Sequence, residues 1–138
     1  MRGRGIGMWL RIDPRSEVPL YQQIVDQVRE AVARRWLEPG TRLPSVRELA
    51  VQLALNHNTV ARAYQELERE GLIETLRGRG TFVAKPNPRT PSPDDVAWME
   101  KQIRQLLIAA YHLGIEPKVW LEIAGRVVAG WSQSEGGF

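Results

Sequence analysis

Apolar side chains return at Tyr21, Ile24, Val25, Val28 and Val32, the three-and-four spacing of a helix that buries one face. Pro19 suits its first position, and Glu38-Pro39-Gly40 reads as the turn that stops it near Leu37. Before it, Trp9-Leu10-Arg11-Ile12 alternates apolar and polar and ends at Asp13-Pro14, which predicts a short strand and a turn. After a brief extended stretch, Ser45-Val46-Arg47-Glu48 spells a capping box, so a second helix is expected over Val46 to Leu53, burying Val46, Leu49, Ala50 and Leu53. The break Ala54-Leu55-Asn56 leads into a third helix, N-capped by Asn56, with a buried stripe of Val60, Ala63, Tyr64 and Leu67. Gly71 is its expected left-handed terminator, with Leu72 folding back on Leu67. Leu72 to Leu76 and Thr81 to Ala84 are β-prone runs joined by Arg77-Gly78-Arg79-Gly80, a hairpin with a basic tip.

The pattern then changes. Pro86-Asn87-Pro88-Arg89-Thr90-Pro91-Ser92-Pro93 cannot join a regular element and predicts a semi-rigid linker. Ser92 then caps a helix that starts at Pro93 and carries Asp94 and Asp95 near its positive end. Val96, Met99, Ile103, Leu106, Ala110 and Leu113 alternate three and four apart, flanked by Leu107 and Ile108, and one helix cannot bury that much surface alone. Gly114 ends it. Pro117 opens a last helix to about Trp131, with Trp120, Ile123, Val127 and Trp131 on one stripe. The expected division is a flexible tail at 1–8, a first domain at 9–85, a Pro-rich linker at 86–92 and a helical domain at 93–138.

Two tightly joined helices followed by a hairpin predict a mainly α protein with a small β-hairpin, a winged helix-turn-helix, followed by a short two-helix C-terminal domain, which the family resemblance given below implies is for dimerisation. The expected dimerisation residues are Met99, Ile103, Leu106, Leu107, Ala110, Trp120, Ile123 and Val127. Trp98, Trp120 and Trp131 are read as core or subunit packing in preference to a ligand cage.

Composition narrows the function. In 138 residues, 43% apolar and 25% charged, there is room for a folded domain and an appendage but little for a deep catalytic cleft. With no cysteine there are no disulfides, thiolate nucleophiles or common zinc clusters. His57 and His112 fall in different segments, and no His, Asp and Glu set has metal spacing, so no enzyme, metal site or cofactor is expected. The basic N-terminus precedes no signal-like apolar run, and nothing approaches the ~20 apolar residues of a membrane span; a cytoplasmic protein without membrane association is the expectation.

The formal net charge is only +3, although the isoelectric point is about 9.7, so the placement of the arginines decides more than their number. Opposite the buried stripe of the third helix lie His57, Asn58, Ala61, Arg62 and Gln65. Asparagine can pair with adenine and arginine with guanine through two hydrogen bonds each, which makes this a face able to read a major groove. Arg47 reads either as a surface arginine or as a contact at the groove edge. Arg77 and Arg79 flank Gly78, which lets the backbone come close to phosphate, although such a tip also occurs as a solvated turn. His57 is a solvated histidine or part of the reading face. Tyr64 is assigned to the core, and Glu66, Glu68 and Glu70 to a solvated surface.

The run of motifs Pro19-Leu20-Tyr21-Gln22-Gln23-Ile24, Pro39-Gly40-Thr41-Arg42-Leu43-Pro44-Ser45-Val46-Arg47-Glu48-Leu49-Ala50, Asn58-Thr59-Val60, Ala63-Tyr64-Gln65-Glu66-Leu67-Glu68 and Gly78-Arg79-Gly80-Thr81-Phe82-Val83 resembles the DNA-binding domain of the GntR family of bacterial regulators. The resemblance covers about Leu10 to Ala84. The short helical segment after it looks like the YtrA subfamily, in which such a segment serves dimerisation. The resemblance implies DNA contacts at Arg47, at Asn56, His57, Asn58 and Thr59, and in the wing at Arg77, Gly78 and Arg79; Arg62 joins them from its place on the reading face. Where many relatives have arginine before the Asn-Thr pair this chain has His57, and where many have a polar or basic residue after Val60 it has Ala61, so the operator sequence does not carry over. The expected partner is double-stranded DNA, bound by a homodimer that represses from a palindromic operator with half-sites about one helical turn apart. An adjacent transporter operon is implied by resemblance alone, and no small-molecule effector is identified. The rival readings are a protein-interaction module and a non-specific DNA binder.

Overall fold

The stripe from Tyr21 to Val32 forms α1 (Leu20–Ala33), which buries Gln23, Ile24, Val25, Val28 and Ala31. The computed structural model describes residues 10–86 and 89–131. They fall into two compact units, divided at residue 87. The expected tail 1–8, Trp9 of the expected strand, Asn87 and Pro88 of the linker, and 132–138 lie outside the described residues.

In the first unit, β1 (Arg42–Leu43), α2 (Val46–Leu53), α3 (His57–Arg69), β2 (Ile73–Leu76) and β3 (Gly80–Val83) follow α1. The capping box forms as expected: Ser45 Oγ accepts from the Glu48 amide at 3.0 Å, and the Glu48 carboxylate accepts from the Ser45 amide at 2.8 Å. Asn56 caps α3 by accepting from the Asn58 amide at 2.7 Å. The stripe of α3 is buried as predicted, at Val60, Ala63, Tyr64 and Leu67. The Tyr64 hydroxyl donates to the Pro44 carbonyl at 2.6 Å, tying α3 to the residue before the capping box of α2. Burial pushes the Tyr64 phenol well above its ordinary value, with the charge of Glu48 adding to the effect, so it stays a donor.

Three expectations need correction. The segment Leu10 to Ile12 is not a strand. Leu10 is buried and Ile12 half-buried, so the alternation reported burial truthfully, but the backbone partners are side chains of α1. Gln27 accepts from the Arg11 amide and donates to the Arg11 carbonyl, at 2.9 and 2.8 Å, while Gln23 bonds the amide and carbonyl of Asp13 and the carbonyl of Val18. Next, α1 ends at Ala33, four residues short of Leu37, and Pro19 is its N-cap, not its first helical residue. Arg35 turns the chain at φ 63°, and the amides of Trp36 and Leu37 return to the Ala31 carbonyl. Finally, the hairpin is not alone: the extended stretch supplies a third strand, giving an antiparallel sheet in the order β1-β3-β2. Arg42 pairs with Phe82 and Leu43 with Thr81, while Ile73 pairs with Val83 and Leu76 with Gly80. Leu43, Ile73 and Val83 point into the same core as α1, α2 and α3.

In the second unit, α4 (Pro93–His112) and α5 (Pro117–Trp131) form a helical hairpin. Ser92 and Asp95 make a capping box with Pro93 in the first turn. Hydrogen bonds from the Ser92 amide and hydroxyl, with the nearby Arg89 charge, hold the Asp95 carboxyl below its ordinary value. A carboxyl lowered in the folded state adds stability above its unfolded pKa and loses it as pH falls through the folded one, so this cap loosens only in acid. Ala110 is the buried residue of α4, and α5 has none.

All the helices whose ends are described close with a residue in the left-handed region or one step beyond it: Arg35, Ala54, Gly71 and Gly114. At α3 the Leu72 amide reaches the Leu67 carbonyl and the Gly71 amide the Glu68 carbonyl, a Schellman motif. Ala54, at φ 56°, makes the sharp turn between α2 and α3 while carrying a Cβ that this conformation disfavours. Ala54→Gly should therefore raise stability by up to about 1 kcal/mol, the relief of strain exceeding the added freedom of the unfolded chain. A denaturant titration showing a lower midpoint than the parent would contradict this account of the turn.

Candidate nucleic-acid interface

Because Val60, Ala63, Tyr64 and Leu67 occupy the inner side of α3, its remaining positions must face outward. His57, Asn58, Arg62 and Gln65 are exposed, and Thr59 and Ala61 are half-buried at the margin. Asn58 and Arg62 stand one turn apart on one face. The Asn56 side chain is spent on its cap, which places it at the start of this exposed face as a backbone organiser.

Arg47 is exposed in the first turn of α2. Its neighbour Glu48 is turned back to the Ser45 amide by the capping box, which keeps that carboxylate from pairing with Arg47. At the hairpin tip Arg77, Gly78 and Arg79 are all exposed, with Gly78 at φ 77° and the Arg79 amide closing the turn on the Leu76 carbonyl at 2.8 Å. The structure thus gathers Asn56, His57, Asn58, Thr59 and Arg62 on one helix end, and sets Arg47 on α2 and Arg77 to Arg79 on the wing.

Two further residues belong to this description and were not singled out from the sequence. Tyr21, read there as part of the buried face of α1, is half-buried, and its ring carries Arg62. The Arg62 guanidinium carbon lies 3.9 Å from the ring centroid, and Nη2 donates to the Tyr21 hydroxyl at 3.3 Å. Arg42 is exposed on β1, and its guanidinium lies against the base of the wing. A Cβ added at Gly80 would come within 3.0 Å of Arg42 Nε. A two-residue strand is too short to show alternation, so only the sheet reveals that Arg42 lies beside Gly80 at the base of the wing.

Two of the three carboxylates at the far end of α3 are already engaged. Glu66 pairs with Arg69, and Glu70 with Arg29 at 2.6 Å. The hydrogen bond from Arg69 holds Glu66 below its ordinary value, and the one to Glu70 raises Arg29. Of the expected solvated acidic surface, Glu68 is exposed and enters no ion pair among the described residues, while Glu66 and Glu70 are held in ion pairs at its edge. Among the described residues, Arg42, Arg47, Arg77 and Arg79 enter no ion pair. No group of His, Asp and Glu able to hold a metal occurs among the described residues either, nor any helix long and apolar enough to cross a membrane.

A helix-turn-helix whose second helix shows a polar face with asparagine and arginine, beside an arginine-tipped hairpin, defines a winged helix-turn-helix DNA-binding protein. Comparison with known proteins carries this further. The chain belongs to the GntR family: the pattern described as bacterial regulatory proteins, gntR family, matches residues 20–83. It is 47% identical over 107 residues to the HTH-type transcriptional repressor YtrA of Bacillus subtilis (strain 168), covering 78% of this chain and 82% of that one. Among solved structures it is similar to a transcriptional antiterminator from Listeria monocytogenes EGD-e, with a TM-score of 0.74 at 32% identity over 88% of this chain and 91% of the other. YtrA from Sulfolobus acidocaldarius, a GntR-family transcription factor, gives a TM-score of 0.57 at 36% identity over 72% and 97%. The chain is a DNA-binding transcriptional regulator, not an enzyme.

Gly80 is where the wing is most constrained, since φ 125° is strained for any residue with a side chain and the Arg42 guanidinium fills the space a Cβ would need. Gly80→Ala should cost roughly 1–3 kcal/mol of folding stability, measured by denaturant unfolding. No measurable loss would show that the hairpin is not held in this geometry.

Proposed function

We propose that the chain is a homodimeric repressor that binds a palindromic operator through α3, with Arg47 and the wing as flanking contacts. The observation that carries this reading is the division of α3: one side is fixed in the core, and the other offers His57, Asn58 and Arg62 to solvent. Asn58 and Arg62 supply base pairing chemistry, each good pair contributing about 1–3 kcal/mol of discrimination. Arg47, Arg77, Arg79 and Arg42 supply phosphate contacts that set position without reading sequence. The helix N-terminus near His57 and Thr59 adds a favourable dipole for the DNA backbone. Such a regulator works in the cytoplasm, and likeness to YtrA-type proteins supports a transporter operon as its target.

The second copy is argued from the hairpin of α4 and α5. Met99, Ile103, Leu106 and Val127 are exposed, Leu106 by 56% and Val127 by 59%, while Leu107, Trp120 and Ile123 are half-buried and Ala110 is buried. Val96, Trp98, Met99 and Ile103 also line an open apolar groove of about 670 Å³ on α4. A continuous apolar face of this kind marks a protein contact, and the commonest soluble solution is a two-fold pairing of identical copies. A dimer also supplies the two recognition helices that a palindrome requires.

Selection from a random duplex library at physiological salt, followed by sequencing, should enrich a motif with two-fold symmetry. Equal retention of all sequences would replace this reading with non-specific binding, whose affinity falls steeply with salt. In sedimentation, the full chain should run as a dimer at micromolar concentration, and the double substitution Ile103→Asp, Leu106→Asp should run as a monomer with α1 to α3 still folded. A parent chain that sediments as a monomer would overturn the dimer.

A further inference from the structure

Arg62 is an exposed arginine with a partner that leaves its charge intact. Its natural partner on the helix would be Glu66, one turn on, but the Glu66 carboxylate is paired with Arg69. Arg62 instead lies over the ring of Tyr21, from the first turn of α1, at 3.9 Å from guanidinium carbon to centroid, and gives one hydrogen bond to the phenol at 3.3 Å. That distance is well inside the cation–π range of about 6 Å. A guanidinium has five N–H donors, so one bond to Tyr21 leaves most of them for another acceptor.

The platform is itself fixed. The Tyr21 ring is half-buried and packs on the core formed by α1 and α3, so it cannot follow the motions of a surface side chain. An arginine held this way has already lost much of the rotamer freedom that a free one would lose on binding. A carboxylate partner would order Arg62 equally well, but it would cancel the charge and would have to be displaced before a phosphate or base could take its place.

We propose that Tyr21 is a positioning residue for Arg62, an aromatic platform that orders the guanidinium for DNA without neutralising it. The inference rests on the reading of α3 as the operator-binding helix. It gives the aromatic ring at the start of α1 a part in recognition, although the apolar periodicity of that helix assigns it to packing. The pair acts as a unit, so removing either member should remove the same contribution to binding.

Two measurements on the full chain test it. In the free protein, the ¹⁵N–¹H relaxation of Arg62 Nε should report an ordered side chain, while Arg47 Nε should be mobile; an Arg62 as mobile as Arg47 overturns the proposal without any substitution. Binding to the selected duplex is then measured for the parent, Tyr21→Phe, Tyr21→Leu, Arg62→Ala and the double variant Tyr21→Leu, Arg62→Ala. Phenylalanine keeps the ring and should retain most of the affinity, whereas leucine, which fills the space without a π face, should lose roughly tenfold, about the effect of a lost arginine contact. In the Arg62→Ala background the leucine should cost nothing more. An equal loss from Tyr21→Leu in both backgrounds means that Tyr21 touches DNA itself or acts through the fold, and the positioning role falls. If the parent shows no preference for the selected duplex over random DNA, the operator reading fails, and the relaxation result still reports separately on the pair.

Discussion

The first unit depends on the burial of one stripe, Val60, Ala63, Tyr64 and Leu67, against everything around it. These side chains meet α1, α2 and β2, so α3 is the element through which the other helices and the sheet share a core. Losing a buried leucine from such a position costs about 2–5 kcal/mol, a large part of the stability of a small domain. The same constraint produces function. A helix pinned along one side has no freedom to rotate, and the polar side is presented at a fixed angle. Tyr64 adds the last constraint by donating to the Pro44 carbonyl, which couples the setting of α3 to the start of α2, where Arg47 stands.

What could be read from the residues follows from how local each signal is. The capping boxes at Ser45 and Ser92, the Asn56 cap and the stripe of α3 depend on neighbours within one or two turns, and the structure has them where the pattern predicts. Helix ends divide by residue type. Gly71 and Gly114 announce left-handed closures, but Arg35 and Ala54 adopt the same region with no glycine to mark it, which is why the end of α1 was expected four residues late. The segment at Leu10 misled for another reason. A strand and a chain bonded by glutamine side chains bury alternate residues alike, and only the partners, Gln23 and Gln27, tell them apart. Strand β1 and the stack of Arg62 on Tyr21 join residues 38 to 41 positions apart, beyond the reach of any local pattern.

The two units close their helices alike and differ in what the closure accomplishes. Leu67, Gly71 and Leu72 end α3 with the Schellman bonds that Ala110, Gly114 and Ile115 repeat at α4. In the first unit that reversal feeds β2 back into a core that already holds three helices. In the second it returns α5 along α4, and a pair of helices has too little inner surface to cover the side chains it carries. Tryptophan, methionine and leucine are left on the outside in consequence. A longer apolar pattern is therefore no sign of a deeper core; with only two helices, it measures what a partner must cover.

Charge is sorted along α3 in a way that the modest net value of +3 conceals. Toward its C-terminal end the carboxylates of Glu66 and Glu70 are matched by Arg69 and Arg29, which leaves Glu68 as the unmatched charge of that end. Toward its N-terminal end stand His57, Asn58 and Arg62, the positive end of the helix dipole, and an arginine whose partner is an uncharged ring. Phosphate attraction falls off within about 8 Å at physiological salt, so what a duplex feels is this local arrangement and not the sum over the chain. The ion pairs at the far end matter for the same reason. On the reading proposed for α3, engaging Glu66 removes the carboxylate best placed to compete with DNA for Arg62, so a contact that looks purely structural would help keep that face positive.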